Sequence, residues 1–151
     1  MTPAAGWARA AATVAVVVAL DQGSKALVRS SLGRGESVNV FFGVDLTNTR
    51  NTGVAFGALE GSGTIVGVLI GLALILLIGY FAMNAARRWL WLPVGMLLGG
   101  ALGNLVDRAR EGAVVDFIDP VAWPAFNLAD SAIVVGVFGL LYVVELRPAR
   151  G

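Results

Sequence analysis

Long apolar runs alternate with polar segments along the chain. The runs cover residues 7–28, 64–83, 89–106 and about 130–146. Each is close to the roughly 20 residues that an α-helix needs to cross the hydrocarbon core of a bilayer, so the pattern predicts four membrane-spanning helices. Ala10 to Leu20 is uninterrupted by charge, and the helical pattern continues through Asp21 and Lys25, which share a face at i,i+4. No clear small-x-small cleavage site closes this run, which argues against a secretory leader. The second run is the clearest, with no charge between Glu60 and Arg87. The third opens on Trp89 and Trp91 and carries Gly99-x-x-x-Gly103, a face that permits close approach of another helix. Asn104, Asp107 and Arg108 follow at i, i+3 and i+4, again on one face.

The polar segments have patterns of their own. From Val38 to Leu46 the even positions are Val38, Val40, Phe42, Val44 and Leu46, a period of two that predicts a strand with one apolar face. Thr47 to Gly53 reads as a turn, and Val54 to Leu59 as a short return strand. A small β element over residues 36–59, lying on the membrane surface, is the expectation. Residues 109–130 read as loop. They contain a short apolar piece around Asp116, and Pro120 and Pro124 exclude helix there. Asp119, just before Pro120, reads as an exposed turn residue. Asp130 falls at the N-terminal turn of the last helix, where the helix dipole favours a carboxylate.

Composition agrees with the spans. Hydrophobic residues make up 57% of the chain and charged residues 14%, against roughly 45–50% and about 25% in soluble domains. Mean hydropathy is +0.78. The expectation is one integral membrane domain over residues 1–151, an all-α, four-transmembrane-helix bundle carrying a small β element on the membrane surface. A net charge of +1 offers no basic face for nucleic acid. The chain has neither cysteine nor histidine. Disulfides, thiol nucleophiles, Ser-His pairs and thiolate or imidazole metal sites are therefore excluded.

Four spans place both termini on one side and the 29–63 and 107–130 segments on the other. Asp21 and Lys25, Asn104, Asp107 and Arg108, and Asp130 all fall at span ends on that second side. Every polar cluster converges on one membrane face. Basic residues are equal in number on the two sides once Lys25 is set aside, but the segments on the terminal side are shorter and denser in arginine. The positive-inside rule weights short loops, which favours cytoplasmic termini and an outward-facing polar site.

In this chain paired aspartates are the natural engine. Two close carboxylates share one proton near neutrality. The ionised one takes a proton from water while the other donates one to a carbonyl oxygen, which hydrolyses an amide without a covalent intermediate. Asp116 (in VVDFI) and Asp130 (in NLADSAI) sit in apolar context that would keep a proton on the pair. Asp107, beside Arg108 and one turn after Asn104, suits an ionised structural role. A solvated acidic loop explains the charge pattern as well as catalysis does. A small proton- or ion-coupled carrier is the alternative class, since intramembrane acids often relay protons, but it predicts acids spread through the membrane depth.

Specific strings narrow the choice. Asp21-Gln22-Gly23-Ser24-Lys25, Arg50-Asn51-Thr52-Gly53-Val54-Ala55-Phe56, the Gly99–Arg108 stretch, Val114-Val115-Asp116-Phe117 and Phe126-Asn127-Leu128-Ala129-Asp130-Ser131 occur in that order. Together they resemble the motifs of the lipoprotein signal peptidase (signal peptidase II) family, over roughly Ala10 to Val144. Val54 stands where that family commonly has alanine. The resemblance implies a bacterial inner-membrane aspartic endopeptidase. It would remove the signal peptide of prolipoproteins just before a cysteine that carries diacylglycerol. It implies Asp116 and Asp130 as the catalytic dyad, and it implies that the small β element is an extracytoplasmic β cradle. Asn51, Gly53, Asn104, Arg108 and Asn127 would line or brace the site, with Asp21, Lys25 and Asp107 as supporting residues. It also implies no metal or organic cofactor, a monomer among membrane lipids, and inhibition by globomycin-type cyclic peptides.

Overall fold

The computed structural model describes residues 1–52 and 63–145, the first five of the latter by backbone alone. Its elements are α1 (Pro3–Ser31), β1 (Ser37–Phe41), β2 (Val44–Asn51), α2 (Gly63–Asn84), α3 (Trp91–Glu111), β3 (Val114–Pro120) and α4 (Leu128–Glu145). Local chemistry sets the helix ends. Thr2 accepts the Ala5 N–H at 3.3 Å with proline in the first turn of α1. α3 stops at Gly112, whose φ of 69° is left-handed and whose N–H closes on the Arg108 carbonyl at 3.0 Å.

The fold is mostly helical, and its surface is inverted relative to a soluble protein. Val16 and Leu20 on α1, Leu69 and Leu76 on α2, and Val134 and Phe138 on α4 are exposed. Asp21, Lys25, Asn104, Asp107, Asp116 and Asn127 are buried. Apolar side chains outside and paired polar groups inside are what a hydrocarbon surround demands. Among the described residues, Pro3–Ser31 and Leu128–Glu145 are long and apolar enough to cross a bilayer, and Val68–Asn84 is a shorter apolar helix.

α3 is the central helix, packed against α1 on one side and α4 on the other. Its glycines allow this. A Cβ at Gly100 would collide with the Ala129 carbonyl of α4, and one at Gly103 would lie 2.6 Å from Oδ2 of Asp21 in α1. One apolar cluster, around Phe81, Leu90 and Val94, closes the end of the bundle near both helix starts. A second, of Val28, Leu32 and Phe117, seals the other end beneath the sheet.

The polar segments fold differently from the expectation. Val38–Leu46 is a hairpin, not one strand. The chain reverses at Phe42-Gly43, with Gly43 at φ 73°, and Val38 comes to lie opposite Leu46. Thr47–Asn51 continues strand β2 and is not a turn. Buried Asn48 anchors it by donating to the Leu32 carbonyl at 2.7 Å. Residues 109–130 are not all loop, because α3 runs to Glu111 and β3 pairs antiparallel with β2 from Asn51↔Val114 to Val44↔Pro120. Asp119 is therefore a half-buried strand residue opposite Asp45, not an exposed turn residue. In each case a partner distant in sequence supplies the hydrogen bonds that override a local turn signal. The three strands form one sheet in the order β1-β2-β3. The return strand expected at Val54–Leu59 lies outside the described residues.

The close approach at Gly103 can be tested against Gly79 of α2, where an added Cβ meets nothing within 4 Å. Gly103→Ala is expected to destabilise the fold by about 1–3 kcal/mol through overpacking. Gly79→Ala should be neutral or slightly stabilising. Thermal unfolding in detergent reads both, and equal melting temperatures for the two variants would contradict the packing described.

Candidate active site

The site grows from a buried ion cluster where α1, α3 and α4 meet. Lys25 and Asp21 stand one turn apart on α1, and their side chains are fully buried. The Lys25 ammonium has three donors and three acceptors. It lies 2.8 Å from Oδ2 of Asp21, 2.8 Å from Oδ2 of Asp107 and 3.2 Å from Oδ1 of Asn104. Each carboxylate then reaches a further element. Asp21 accepts the Ala129 N–H of α4 at 3.0 Å, and Asp107 accepts the Val115 N–H of β3 at 3.1 Å. The Gln22 amide donates to Asp21, to the Gly103 carbonyl and to Asp107, at 3.1, 3.1 and 2.9 Å.

Two further aspartates sit above this base. Asp130 is the third residue of α4 and forms a reciprocal cap with Asn127. The Asp130 N–H donates to Asn127 Oδ1 at 2.9 Å, and the Asn127 N–H donates to Asp130 Oδ2 at 3.2 Å. Oδ1 of Asp130 accepts from the Asn104 amide at 2.8 Å. Asp116 projects from β3. It accepts from the Asn127 amide at 2.7 Å and from the Asn51 amide at 3.0 Å. Asn51 lies opposite Val114, so Asp116 is its diagonal neighbour on the same face of the sheet. Backbone bonds between Phe126 and both Phe117 and Ile118 pin the start of α4 to β3 and so hold the two acids together.

Burial pushes the Asp116 carboxyl above the usual range, the Asn51 amide opposes this, and the nearby Asp130 charge raises it further. The Asn127 amide and the Lys25 charge also pull it down, and the upward effects prevail. A carboxyl raised in this way stabilises the fold most in acid and gives up that contribution as pH rises through its folded pKa.

The structure thus brings Asp21, Lys25, Asn51, Asn104, Asp107, Asp116, Asn127 and Asp130 into one connected network. Arg108 stands exposed, its guanidinium 3.5 Å from the Asn104 carbonyl, and joins neither acid directly. Gly53 lies outside the described residues. Sequence reasoning passed over Gln22, although it sits inside the Asp21–Lys25 string. It also passed over Glu111, which takes Arg29 of α1 at 2.8 Å and Arg50 of β2 at 2.9 Å. Neither partner of Glu111 is close in sequence, so no local spacing announces it.

Comparison with known proteins gives a consistent result. Residues 13–146 match the family model described as Signal peptidase (SPase) II. The lipoprotein signal peptidase of Moorella thermoacetica is 46% identical over 135 residues, 87% of this chain and 89% of that one. That of Pelotomaculum thermopropionicum is 43% identical over 136 residues, 87% and 88% of the two chains. A solved bacterial membrane enzyme superposes with a TM-score of 0.80 at 31% identity, covering 93% of this chain and 89% of its own.

Removing the shared cation should expose its importance. Lys25→Met leaves Asp21 and Asp107 buried without their ammonium, a change expected to cost about 3–5 kcal/mol. Denaturant unfolding in mild detergent measures it. A Lys25→Met protein as stable as wild type would show that the cluster does not hold the helices together.

Proposed function

The chain belongs to the signal peptidase II family, and from that premise we propose that it is a membrane aspartic endopeptidase with Asp116 and Asp130 as its dyad. Its substrate is a prolipoprotein whose cysteine carries diacylglycerol, and cleavage falls just before that cysteine. The observation that carries this is the pairing of two acids from different elements through one amide. Asn127 donates to Asp116 and caps with Asp130, at one end of a bundle with an apolar exterior. The family match does not favour a proton-coupled carrier.

The chemistry follows from the protonation of the pair. Burial and the neighbouring Asp130 charge raise the Asp116 carboxyl, and two close carboxyls that share one proton are the working arrangement of aspartic peptidases. The ionised carboxyl takes a proton from water as its oxygen bonds to the scissile carbonyl carbon. The protonated one donates to the carbonyl oxygen. Collapse of the tetrahedral intermediate breaks the C–N bond, and the proton first taken from water passes to the leaving amine. Asn51, Asn104 and Asn127 hold the carboxylates in register throughout, and Asp21, Lys25 and Asp107 brace them from below.

The four helices are assigned as four spans of one domain in a bacterial cytoplasmic membrane, with both termini cytoplasmic and the dyad at the outer face. The sheet forms the cradle beside the substrate. The enzyme acts as a monomer among lipids. The signal helix and acyl chains of the substrate stay in the bilayer, so the scissile bond arrives at the depth where span ends place the acids.

Cleavage of a lipidated prolipoprotein by purified protein tests the dyad. Asp116→Asn and Asp130→Asn should each lower kcat by roughly 100- to 10,000-fold, while Asp119→Asn stays near wild type. In the same assay Asn51→Ala removes a donor that favours the ionised Asp116. The alkaline limb of the rate profile should then move to higher pH, because the pair keeps its shared proton longer. Near-normal turnover by either dyad variant would sink the assignment.

The chain has no cysteine, so single introduced cysteines report topology cleanly. A cysteine at Ser37 should react with a membrane-impermeant maleimide in intact spheroplasts, and one at Thr2 should react only after lysis. The reverse pattern would overturn the orientation.

A further inference from the structure

A cavity of about 490 Å³ lies far from the dyad, between Thr2 and Arg9 at the start of α1 and the Arg88–Trp91 segment that opens α3. Arg9 precedes Asp21 by 12 residues, which puts about 18 Å of helix between this cavity and the Lys25 cluster. We propose that it binds the phosphate of an anionic phospholipid headgroup.

Several independent features favour an anion here. Two guanidinium groups, Arg9 and Arg88, line the cavity, and none of its lining residues carries a carboxylate. α1 and α3 both begin at it. Neither has an acidic residue in its first turn. Guanidinium forks match phosphate oxygens bidentately.

Other features favour a lipid over a free ion. The cavity is far larger than one phosphate and falls within the range of about 300–1,000 Å³ typical of small-molecule sites. Arg9 lies over Trp91 with its guanidinium carbon 5.8 Å from the ring centroid, which orients the group. Trp89 lies against Trp91, with centroids 6.4 Å apart and planes at 28°, and its ring is 48% exposed. Paired indoles at a span end mark the headgroup layer. Basic pockets between membrane helices are the usual seats of anionic headgroups. The proposal requires this end of the bundle to lie in a headgroup layer, in either leaflet, and it does not depend on the peptidase chemistry.

The test is native mass spectrometry of the full chain released from nanodiscs holding equal amounts of phosphatidylglycerol and phosphatidylcholine. One phosphatidylglycerol should be retained in preference by about tenfold. The double variant Arg9→Gln/Arg88→Gln should lose that preference, whereas Arg34→Gln, an exposed arginine between α1 and β1, should keep it. Cleavage of prolipoprotein by the double variant shows that it is folded, and the single variant Arg88→Gln gives a milder second measurement with a partial loss. Millimolar inorganic phosphate should leave the retained lipid in place. Displacement by phosphate would assign the site to the free anion and overturn the lipid reading. Equal retention of the two lipids, or an undiminished preference in both arginine variants, would overturn the site altogether. Because retention is weighed whether or not the protein cleaves prolipoprotein, either negative result leaves the peptidase assignment standing.

Discussion

The buried Lys25 ammonium ties together the three helices and the strand that carry the aspartates of the site. Taking an ammonium and two carboxylates out of water costs several kcal/mol per ion, and only close, fully bonded partners offset it. Here those partners come from separate parts of the chain. Asp21 belongs to α1 and holds the first turn of α4 through the Ala129 N–H. Asp107 belongs to α3 and holds the start of β3 through the Val115 N–H. Two carboxylates facing one ammonium need further donors, and these backbone N–H groups and the Gln22 amide provide them. The cluster therefore fixes the helix carrying Asp130 and the strand carrying Asp116 relative to each other. Lipid outside the bundle adds little to this specificity, since hydrocarbon solvates one apolar face of a helix as well as another.

The cluster and the dyad use different donors, and the difference suits their roles. Asp21 and Asp107 each face the Lys25 ammonium at 2.8 Å. Asp116 and Asp130 are instead held by the neutral amides of Asn51, Asn104 and Asn127. A neutral amide orients a carboxyl without forcing it to stay charged, which suits the proton-transfer role proposed for the pair. A cation placed as close to Asp116 would pull its carboxyl down and remove the shared proton. Asparagine also cannot itself titrate, so the pair changes charge without disturbing its own supports.

Much of this was legible in the sequence, and the limits were physical. The apolar runs announced the helices because hydrocarbon-facing segments leave a long signal. Motif strings placed most of the network, since Asp21 and Lys25, or Asn104 and Asp107, are local helical neighbours. Asp116 and Asp130 stood out by their apolar flanks. What was lost was the β structure, because strand pairing is non-local. Asn48 and Thr49 look like turn residues until Leu32 and Asp116 appear beside them. Glu111 drew no notice within the expected loop, because its partners Arg29 and Arg50 are distant in sequence. The fold assigns these residues their partners, and no window of sequence holds both halves.

Asn104 shows how far the structural cluster constrains the chemistry above it. Its side chain has one acceptor end and one donor end. Oδ1 faces the Lys25 ammonium and Nδ2 faces the Asp130 carboxylate. A flipped amide would set hydrogens against an ammonium and an oxygen against a carboxylate, two repulsions in a dry site, so one orientation prevails. Lys25 thereby determines that Asp130 receives a donor. Asn127 repeats the logic, since its Oδ1 is committed to the Asp130 N–H and its amide is left to donate to Asp116. Both carboxyls of the dyad are consequently offered hydrogens by groups whose orientation is decided elsewhere in the fold. Supports fixed in this way need no reorientation in the proton transfer proposed for the pair.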